Sequence, residues 1–256
     1  MSATRVAAEV RELGFAVLPD VISPGALPAL RSALERCIDF DLAVADPRRK
    51  QDGWMVFNLM LRDPVFMELL VEPKTRAVVD ELLGDTSILY AFVSSSMPPL
   101  GGNYSGRVHV DSQRVIPGYP TNLGVIVALD DFTEENGATY FLPRSFDRTD
   151  TPSIEEFTEN AHRVFPRAGD AVVFNARTFH MGGTNETAEP RHAVTMNYVR
   201  SYMRQHFDFP RMIVPSEAEA LGEDLRRVLG YHVRVPASLD EYYVDPSDRL
   251  YRAGQG

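Results

Sequence analysis

The chain has 256 residues, of which 44% are hydrophobic, and a formal charge of −10. Such an acidic protein is a poor candidate for sequence-independent binding of nucleic acid or for docking on anionic lipid. Its one cysteine, Cys37, excludes an intrachain disulfide. The chain has neither an apolar leader nor a run of about 18 apolar residues, so we expect a cytoplasmic protein without a membrane partner.

The N-terminal third of the chain, residues 1–85, predicts mainly helices. Ser23 suits the N-cap of one helix and the proline after it suits the first turn. Pro64 and Pro73 punctuate a later helical segment, and Gly84 is a typical stop signal. The predicted elements are a helix over 1–13, a strand over 15–19, a helix that starts at 23 and includes 38, a polar loop over 43–53 and a helix over 64–84.

From residue 87 onward, short β-branched and aromatic segments alternate with Gly, Pro, Asn and Asp, a pattern typical of strands and turns. The predicted strands span 87–94, 107–111, 123–129, 139–142, 171–174 and 193–200; helical segments are expected at 151–162 and 217–229. Several strands without alternating helices favour a sandwich or barrel. We therefore expect a mainly β fold with flanking helices, in one domain over 1–256: a helical region over 1–85, a core over 86–205 and a tail over 206–256.

The pair His109 and Asp111 is the strongest chemical signal in the sequence. Residues two apart on a strand point to the same face, so both side chains can reach one metal. His180 follows on a later strand end. Two imidazoles and one carboxylate are the ligand set of non-haem Fe(II) sites that leave one face open for cosubstrate and O₂.

A His-x-Asp pair alone is weak evidence, because most such pairs are surface ion pairs or hydrogen-bonded core histidines. The order of the residues is more specific: the pair, then about seventy residues, then His180, then Arg191 on the next strand. The guanidinium of Arg191 is the partner that the second carboxylate of 2-oxoglutarate would need. The remaining histidines are interpreted as structural or solvated: His162, His192, His206 and His232.

Residues that share a face with these candidates define a candidate substrate and cosubstrate site. Thr195 and Asn197 lie on the Arg191 side of the strand 193–200, as a cosubstrate contact and as site wall. Gln113 lies two residues after Asp111, and Tyr104 lies on a loop before the pair. Asn122, Gly124, Ile126 and Ala128 alternate along another strand; a cavity wall of that set would be smooth and suit a bulky organic metabolite.

The chain resembles the phytanoyl-CoA dioxygenase-like Fe(II)/2-oxoglutarate oxygenases over roughly residues 8–205. The resemblance rests on the opening segment 13–23, on the central strand–turn–strand segment 128–145, and on the order of Gly169-Asp170, His180, Asn185 and Arg191. It implies a double-stranded β-helix, the cupin-like jelly roll, with His109, Asp111 and His180 as iron ligands and Arg191 as the residue that pairs with 2-oxoglutarate.

Four positions depart from the family pattern: Met97 replaces a common Lys, Ile126 a common Trp, Gly182 a hydroxyl residue and Phe146 a common His. None is an iron ligand. We therefore expect iron, 2-oxoglutarate and O₂ chemistry on a small to medium-sized metabolite without CoA, and we place Ile126 and Phe146 in the substrate site. The oligomeric state stays open.

Two alternatives differ in class. A cupin-like isomerase, or an oxygenase that does not use 2-oxoglutarate, would have no need of Arg191. A non-catalytic binding barrel would have to bury Asp111 beside two histidines without a metal, which is energetically costly.

Overall fold

The computed structural model describes residues 2–44, 48 and 54–255. Helices and strands follow the predicted order. The helices are α1 (Ala3–Leu13), α2 (Leu27–Ala43), α3 (Pro73–Leu83), α4 (Ile154–Asn160), α5 (Phe209–Met212), α6 (Pro215–Glu219), α7 (Glu223–Val228) and α8 (Leu239–Tyr242). The strands are β1 (Phe15–Leu18), β2 (Ile88–Ser94), β3 (Asn122–Ala128), β4 (Tyr140–Phe141), β5 (His162–Arg163), β6 (Ala171–Asn175), β7 (His180–Met181) and β8 (Ala193–Val199).

Two antiparallel sheets face each other. The larger has the strand order β1-β6-β3-β8-β2, and the smaller has the order β5-β4-β7. Aromatic rings fill the space between them: Phe15 of β1 stacks on Phe141 of β4 with a centroid distance of 4.9 Å. Ile126, Val172 and Phe174 join this inner cluster from the larger sheet. The arrangement is the predicted jelly roll with flanking helices.

The opposite face of the larger sheet packs against helices. Leu123, Val125 and Val127 of β3 belong to a second buried cluster together with residues of α1, α2 and α3. The two faces of β3 therefore separate as the alternation predicts, and Ile126 lies on the inner side. Burial on both faces explains why this strand is apolar at every position after Asn122.

Three predicted elements differ in detail. Residues 64–71 form 3₁₀ turns before α3, because Pro73 lacks an N–H and disfavours helical backbone at Glu72. The helix over 217–229 is two short helices separated at Gly222. The strand over 107–111 was wrong: only His109 is bridged to a neighbour there. Most of the predicted loop 43–53 lies outside the described residues.

The helices of the described residues are too short or too polar to span a bilayer.

Candidate metal centre and its cavity

The segment that carries His109 and Asp111 is held by backbone bonds to the loop and strand around His180. His109 and His180 exchange two backbone hydrogen bonds of 3.0 and 2.9 Å. The Asp111 N–H donates to the carbonyl of Ala176 at 2.9 Å. The predicted strand was expected to bring His109 and Asp111 to the same side. In the structure the isolated bridge between His109 and His180 brings them there, and both side chains turn towards His180.

The three side chains converge on one point. Each offers one ligand atom, and these atoms all lie within 4.8 Å of one another. Asp111 Oδ1 is 3.5 Å from Nε2 of His109 and 3.8 Å from Nε2 of His180. Two imidazoles and a carboxylate at this separation fit a divalent transition metal that keeps open positions.

Hydrogen bonds to the backbone orient both imidazoles. Nδ1 of His109 lies 2.8 Å from the carbonyl of Arg107, and Nδ1 of His180 lies 3.0 Å from the carbonyl of Thr178. Because a carbonyl can only accept, each Nδ1 carries the proton and each Nε2 presents its lone pair. Such outer contacts are typical of metal-binding histidines.

The pKa shifts follow from burial and mutual charge. Burial lowers the pKa of His180 despite the nearby Asp111 carboxylate, which keeps that imidazole neutral and able to bind a metal. Burial alone would raise the pKa of Asp111, but the neighbouring His180 and His109 outweigh it and lower that pKa. Burial would likewise lower the pKa of His109, and the contacts with Asp111 and the Arg107 carbonyl reverse the direction.

Aromatic rings support His180 from the barrel interior. The centroid of Phe174 lies 4.9 Å from that of His180, and Phe141 stacks on the same imidazole at 5.6 Å. Gly124 makes room for this packing, because a Cβ there would lie 2.1 Å from the Phe174 ring. The predicted smooth wall of β3 is thus covered at Gly124 by Phe174.

Arg191 lies in the same cavity as the three candidate ligands, a space of about 60 Å³. Its side chain is 2% exposed, and Nη2 donates to the Ser95 carbonyl at 3.3 Å. The guanidinium carbon lies 3.9 Å from the centroid of Phe132, and Nε is buried without a hydrogen-bond partner.

The guanidinium of Arg191 has no salt bridge to any carboxylate among the described residues, and Asp130, whose charge acts on it, is itself paired with Arg31 at 2.8 Å. Burial lowers the pKa of Arg191 to about 9, which the more distant Asp130 only partly opposes. A buried cation with an unused donor that faces a cavity suits an anionic ligand such as a carboxylate.

The structure brings most of the predicted site residues together. Thr195, Asn197, Ile126 and Tyr104 line the cavity beside the three candidate ligands and Arg191. Thr195 donates through its hydroxyl to Ser95 Oγ at 3.0 Å.

Two substrate assignments need correction. Gln113 is exposed and lines neither this cavity nor the next one, because the chain bends at Asp111 and the alternation of a strand does not continue beyond it. Phe146 lies near Gly14 and lines a separate cavity on the other side of β6.

Other lining residues carried no sequence signal. Ser95, Asn103 and Ser105 come from loops, where no periodicity marks the direction of a side chain.

Met97 and Gly182, two of the departures from the family pattern, contact the same space. A Cβ at Gly182 would lie 2.4 Å from Ser105 Oγ and 2.7 Å from the end of Met97. Met97 and Ser105 thus occupy the space that a larger residue at 182 would need.

Comparison with known proteins gives a consistent result. A family model described as phytanoyl-CoA dioxygenase matches residues 10–193. Uncharacterized protein Rv1501 of Mycobacterium tuberculosis is 33% identical over 254 residues, which cover 95% of this chain and 92% of that protein.

Solved structures share the fold at lower identity. EctD from S. alaskensis, with 2-oxoglutarate and 5-hydroxyectoine, has a TM-score of 0.66 at 22% identity and covers 78% of this chain and 76% of its own. The epimerase SnoN, in complex with Fe³⁺, alpha ketoglutarate and nogalamycin RO, has a TM-score of 0.61 at 24% identity and covers 77% and 83%. Both likenesses support the jelly roll.

Proposed function

The chain belongs to the phytanoyl-CoA dioxygenase family, and from that membership we propose that it hydroxylates, or otherwise oxidises, an aliphatic C–H bond of a small to medium-sized metabolite. It is a 2-oxoglutarate-dependent dioxygenase, an enzyme class that uses Fe(II) and O₂ and releases succinate and CO₂. We propose further that the substrate belongs to secondary metabolism.

We assign His109, Asp111 and His180 as the iron ligands. Three observations support this assignment: the ligand atoms lie within 4.8 Å of one another, both Nδ1 atoms face backbone carbonyls, and the pKa of His180 is lowered. When bound, Fe(II) and 2-oxoglutarate supply the oxidising power for attack on an unactivated C–H bond.

The observation that carries the proposal is Arg191, a buried cation without a carboxylate partner in the described residues, in the same cavity as the triad. We propose that its guanidinium binds the distal carboxylate of 2-oxoglutarate and that Thr195 contributes a hydroxyl contact. The isomerase alternative gives no reason to bury an arginine here. The family assignment also favours a 2-oxoglutarate enzyme over that alternative.

The chain itself orients and isolates the reacting groups. Backbone carbonyls hold each imidazole with Nε2 towards the metal position, and Arg191 fixes the far end of the cosubstrate. The apolar side chains of Ile126 and Phe174 exclude water from the same cavity. Which C–H bond reacts, and whether the product is an alcohol, an alkene, a ring or an epimer, depends on how the substrate is held.

A CoA thioester is a poor candidate substrate. Four arginines could form a patch for its phosphates: Arg144, Arg148, Arg163 and Arg167. Arg144 is paired with Glu12 at 2.6 Å, Arg148 with Asp150 at 2.6 Å and with Glu156, and Arg163 donates to the Glu134 carbonyl. The net charge of −10 also opposes a highly anionic ligand.

Turnover assays with two substrate sets test the proposal. The Fe(II)-loaded protein is incubated with 2-oxoglutarate and O₂ in the presence of either free metabolites or acyl-CoAs, and succinate is measured together with the mass gain of one oxygen atom. We expect succinate release together with substrate oxidation only with the free metabolites. We expect neither in the His180→Ala variant. Coupled turnover confined to a long-chain acyl-CoA would overturn the proposed substrate class.

A further inference from the structure

A second cavity adjoins the metal centre. It encloses about 200 Å³ and shares Val93, Tyr104, Asp111 and Asn197 with the inner cavity. The two spaces therefore meet at the carboxylate that we assign to the metal. We call the second space the outer chamber; its remaining wall is formed by Met55, Phe57, Tyr90, Ala91, Asn122 and His206.

A β-bulge in β2 shapes one wall of the outer chamber. The register with β8 shifts between Leu89 and Ala91, so Tyr90 is the extra residue. Leu89 and Phe92 are buried in the helix-side core, whereas Tyr90, Ala91 and Val93 line the chamber. A regular strand would send Tyr90 and Ala91 to opposite faces, so the bulge is what brings both to the chamber.

Aromatic side chains make up much of the outer chamber's lining. The ring of Tyr90 meets His206 edge-on at a centroid distance of 5.5 Å, and Phe57 meets Phe207 at 6.0 Å. The backbone N–H of His206 donates to the Tyr90 carbonyl at 3.1 Å, which ties the segment after β8 to β2. Aromatic walls favour ligands that offer flat or ring-shaped apolar surface.

The outer chamber offers little charge to a ligand. Among the residues that the structure describes, no Lys or Arg lines it, and its one carboxylate is Asp111. Among those residues a phosphate or carboxylate group on the ligand would meet no Lys or Arg, and His206 is the one lining side chain that can carry a positive charge. The chamber thus favours an uncharged ligand, in contrast to the inner cavity with Arg191.

Asn197 supplies an unused polar group between the two cavities. Its Oδ1 is buried and has no hydrogen-bond partner in the described residues. Its cross-strand neighbours are Ala91 on β2 and Gly124 on β3, whose side chains offer no hydrogen-bonding group. A buried acceptor without a partner is costly, and a ligand hydroxyl or N–H would remove that cost.

We propose that the outer chamber binds an uncharged, ring-containing metabolite that donates a hydrogen bond from a hydroxyl or amide N–H to Asn197 Oδ1. The ring lies against Tyr90 and Phe57, and the C–H bond to be oxidised points to the Asp111 side. This inference rests on the proposed function, since it assigns the substrate class of that site.

Asn122 provides a matched control. It lines the same chamber, but its Oδ1 already accepts a hydrogen bond from the Thr121 hydroxyl at 2.6 Å. Asn122→Leu and Asn197→Leu therefore make the same chemical change in one chamber, and only the second removes an unpartnered acceptor.

A fragment-binding experiment by ligand-observed NMR tests the proposal. The probes are three matched sets: ring alcohols, their methyl ethers, and ring carboxylates of similar size. We expect the wild type to bind ring alcohols about tenfold more tightly than the ethers, and to bind the carboxylates least in competition with the alcohols. The preference for alcohols over ethers disappears in Asn197→Leu and persists in Asn122→Leu.

Three results would overturn the inference: equal binding of alcohols and ethers by the wild type, loss of the preference in both variants alike, or no binding of any ring alcohol. A calorimetric titration of the wild type with Mn(II) and then 2-oxoglutarate separates the two hypotheses. A failed titration with an intact alcohol preference would contradict the proposed function and leave the chamber assignment standing; the reverse pattern would contradict only the chamber assignment.

Discussion

Arg191 is a buried cation whose burial lowers its pKa to about 9. At neutral pH the folded protein must hold this charge away from water, whereas the unfolded chain leaves it hydrated. The depressed pKa therefore means a cost to stability at neutral pH, which only alkaline conditions would relieve. A bound carboxylate would offset the same cost by direct pairing.

Arg191→Met should separate stability from cosubstrate binding. We expect the metal-free variant to be as stable as the wild type or more so by about 1 kcal/mol, because an apolar residue replaces an unpaired buried charge. Its affinity for 2-oxoglutarate should fall at least tenfold, since loss of one partner of a buried charge pair costs about 2–5 kcal/mol. Thermal unfolding and calorimetry with Mn(II) measure the two effects. Unchanged 2-oxoglutarate affinity would contradict the role of Arg191.

Gly124 is a second residue whose identity the site requires. A Cβ there would overlap the Phe174 ring at 2.1 Å, and that ring is confined between Phe141 and His180. We expect Gly124→Ala to cost about 1–3 kcal/mol of stability and to weaken Mn(II) binding, because the displaced ring presses on His180. The double variant Gly124→Ala/Phe174→Leu should recover metal affinity. If the single variant binds Mn(II) as well as the wild type does, Phe174 does not position His180.

Elements outside the barrel also hold the site in place. Helix α1 ends at Gly14, whose carbonyl accepts hydrogen bonds from Asn175 N–H at 2.8 Å and from the Thr178 hydroxyl at 3.0 Å. The Thr178 carbonyl in turn accepts from Nδ1 of His180. Two hydrogen bonds, both through Thr178, therefore connect the turn between α1 and β1 to a candidate metal ligand.

Two helix-ending glycines test this coupling. Gly14 and Gly84 both have φ near +95° (96° and 94°), but a Cβ at Gly14 would lie 2.4 Å from Thr178 Oγ1, whereas a Cβ at Gly84 has nothing within 4 Å. The two glycines differ in ψ, which is −10° at Gly14 and 154° at Gly84, so each substitution carries its own backbone strain, about 1–3 kcal/mol at Gly84. Only Gly14→Ala adds the clash with Thr178, so we expect it to weaken Mn(II) binding and Gly84→Ala to leave that binding unchanged. Equal Mn(II) affinities of the two variants in calorimetry would show that α1 does not support the site.

The sequence predicted elements best where burial determines residue type. The strands β2, β3, β6 and β8 fall close to their predicted bounds, because β-branched and aromatic residues fill both faces of the larger sheet. The segment 107–111 has the same local character but pairs only at His109. Tertiary structure determines which strand a short segment pairs with, so local composition cannot predict that pairing.

The same distinction explains which site residues were foreseeable. Thr195 and Asn197 follow from alternation along β8, and the same alternation extends back to Arg191, which is bridged to Met97 just before the strand. Gln113 was placed in the site by continuing the strand alternation past Asp111, where the chain bends. His206 was set aside as structural, yet it lines the outer chamber, because a bulge and a backbone bond bring it there.

The charges of the whole molecule disfavour an anionic substrate but favour one anionic cosubstrate. The protein is acidic overall, and Arg144 and Arg148 are paired with carboxylates at its surface. Arg191 is enclosed next to the three candidate ligands. The adjoining outer chamber offers aromatic rings and an amide. The inner cavity therefore suits a dicarboxylate, and the outer chamber suits a neutral metabolite.

We propose that His109, Asp111 and His180 hold a metal while Arg191 holds the far carboxylate of 2-oxoglutarate. The most direct test is a crystal structure of the protein grown without oxygen in the presence of Mn(II) and 2-oxoglutarate, with anomalous diffraction used to locate the metal. We predict one metal bound by the two Nε2 atoms and the Asp111 carboxylate, with the distal carboxylate in contact with the Arg191 guanidinium. A metal bound elsewhere, or 2-oxoglutarate bound without a contact to Arg191, would contradict the account.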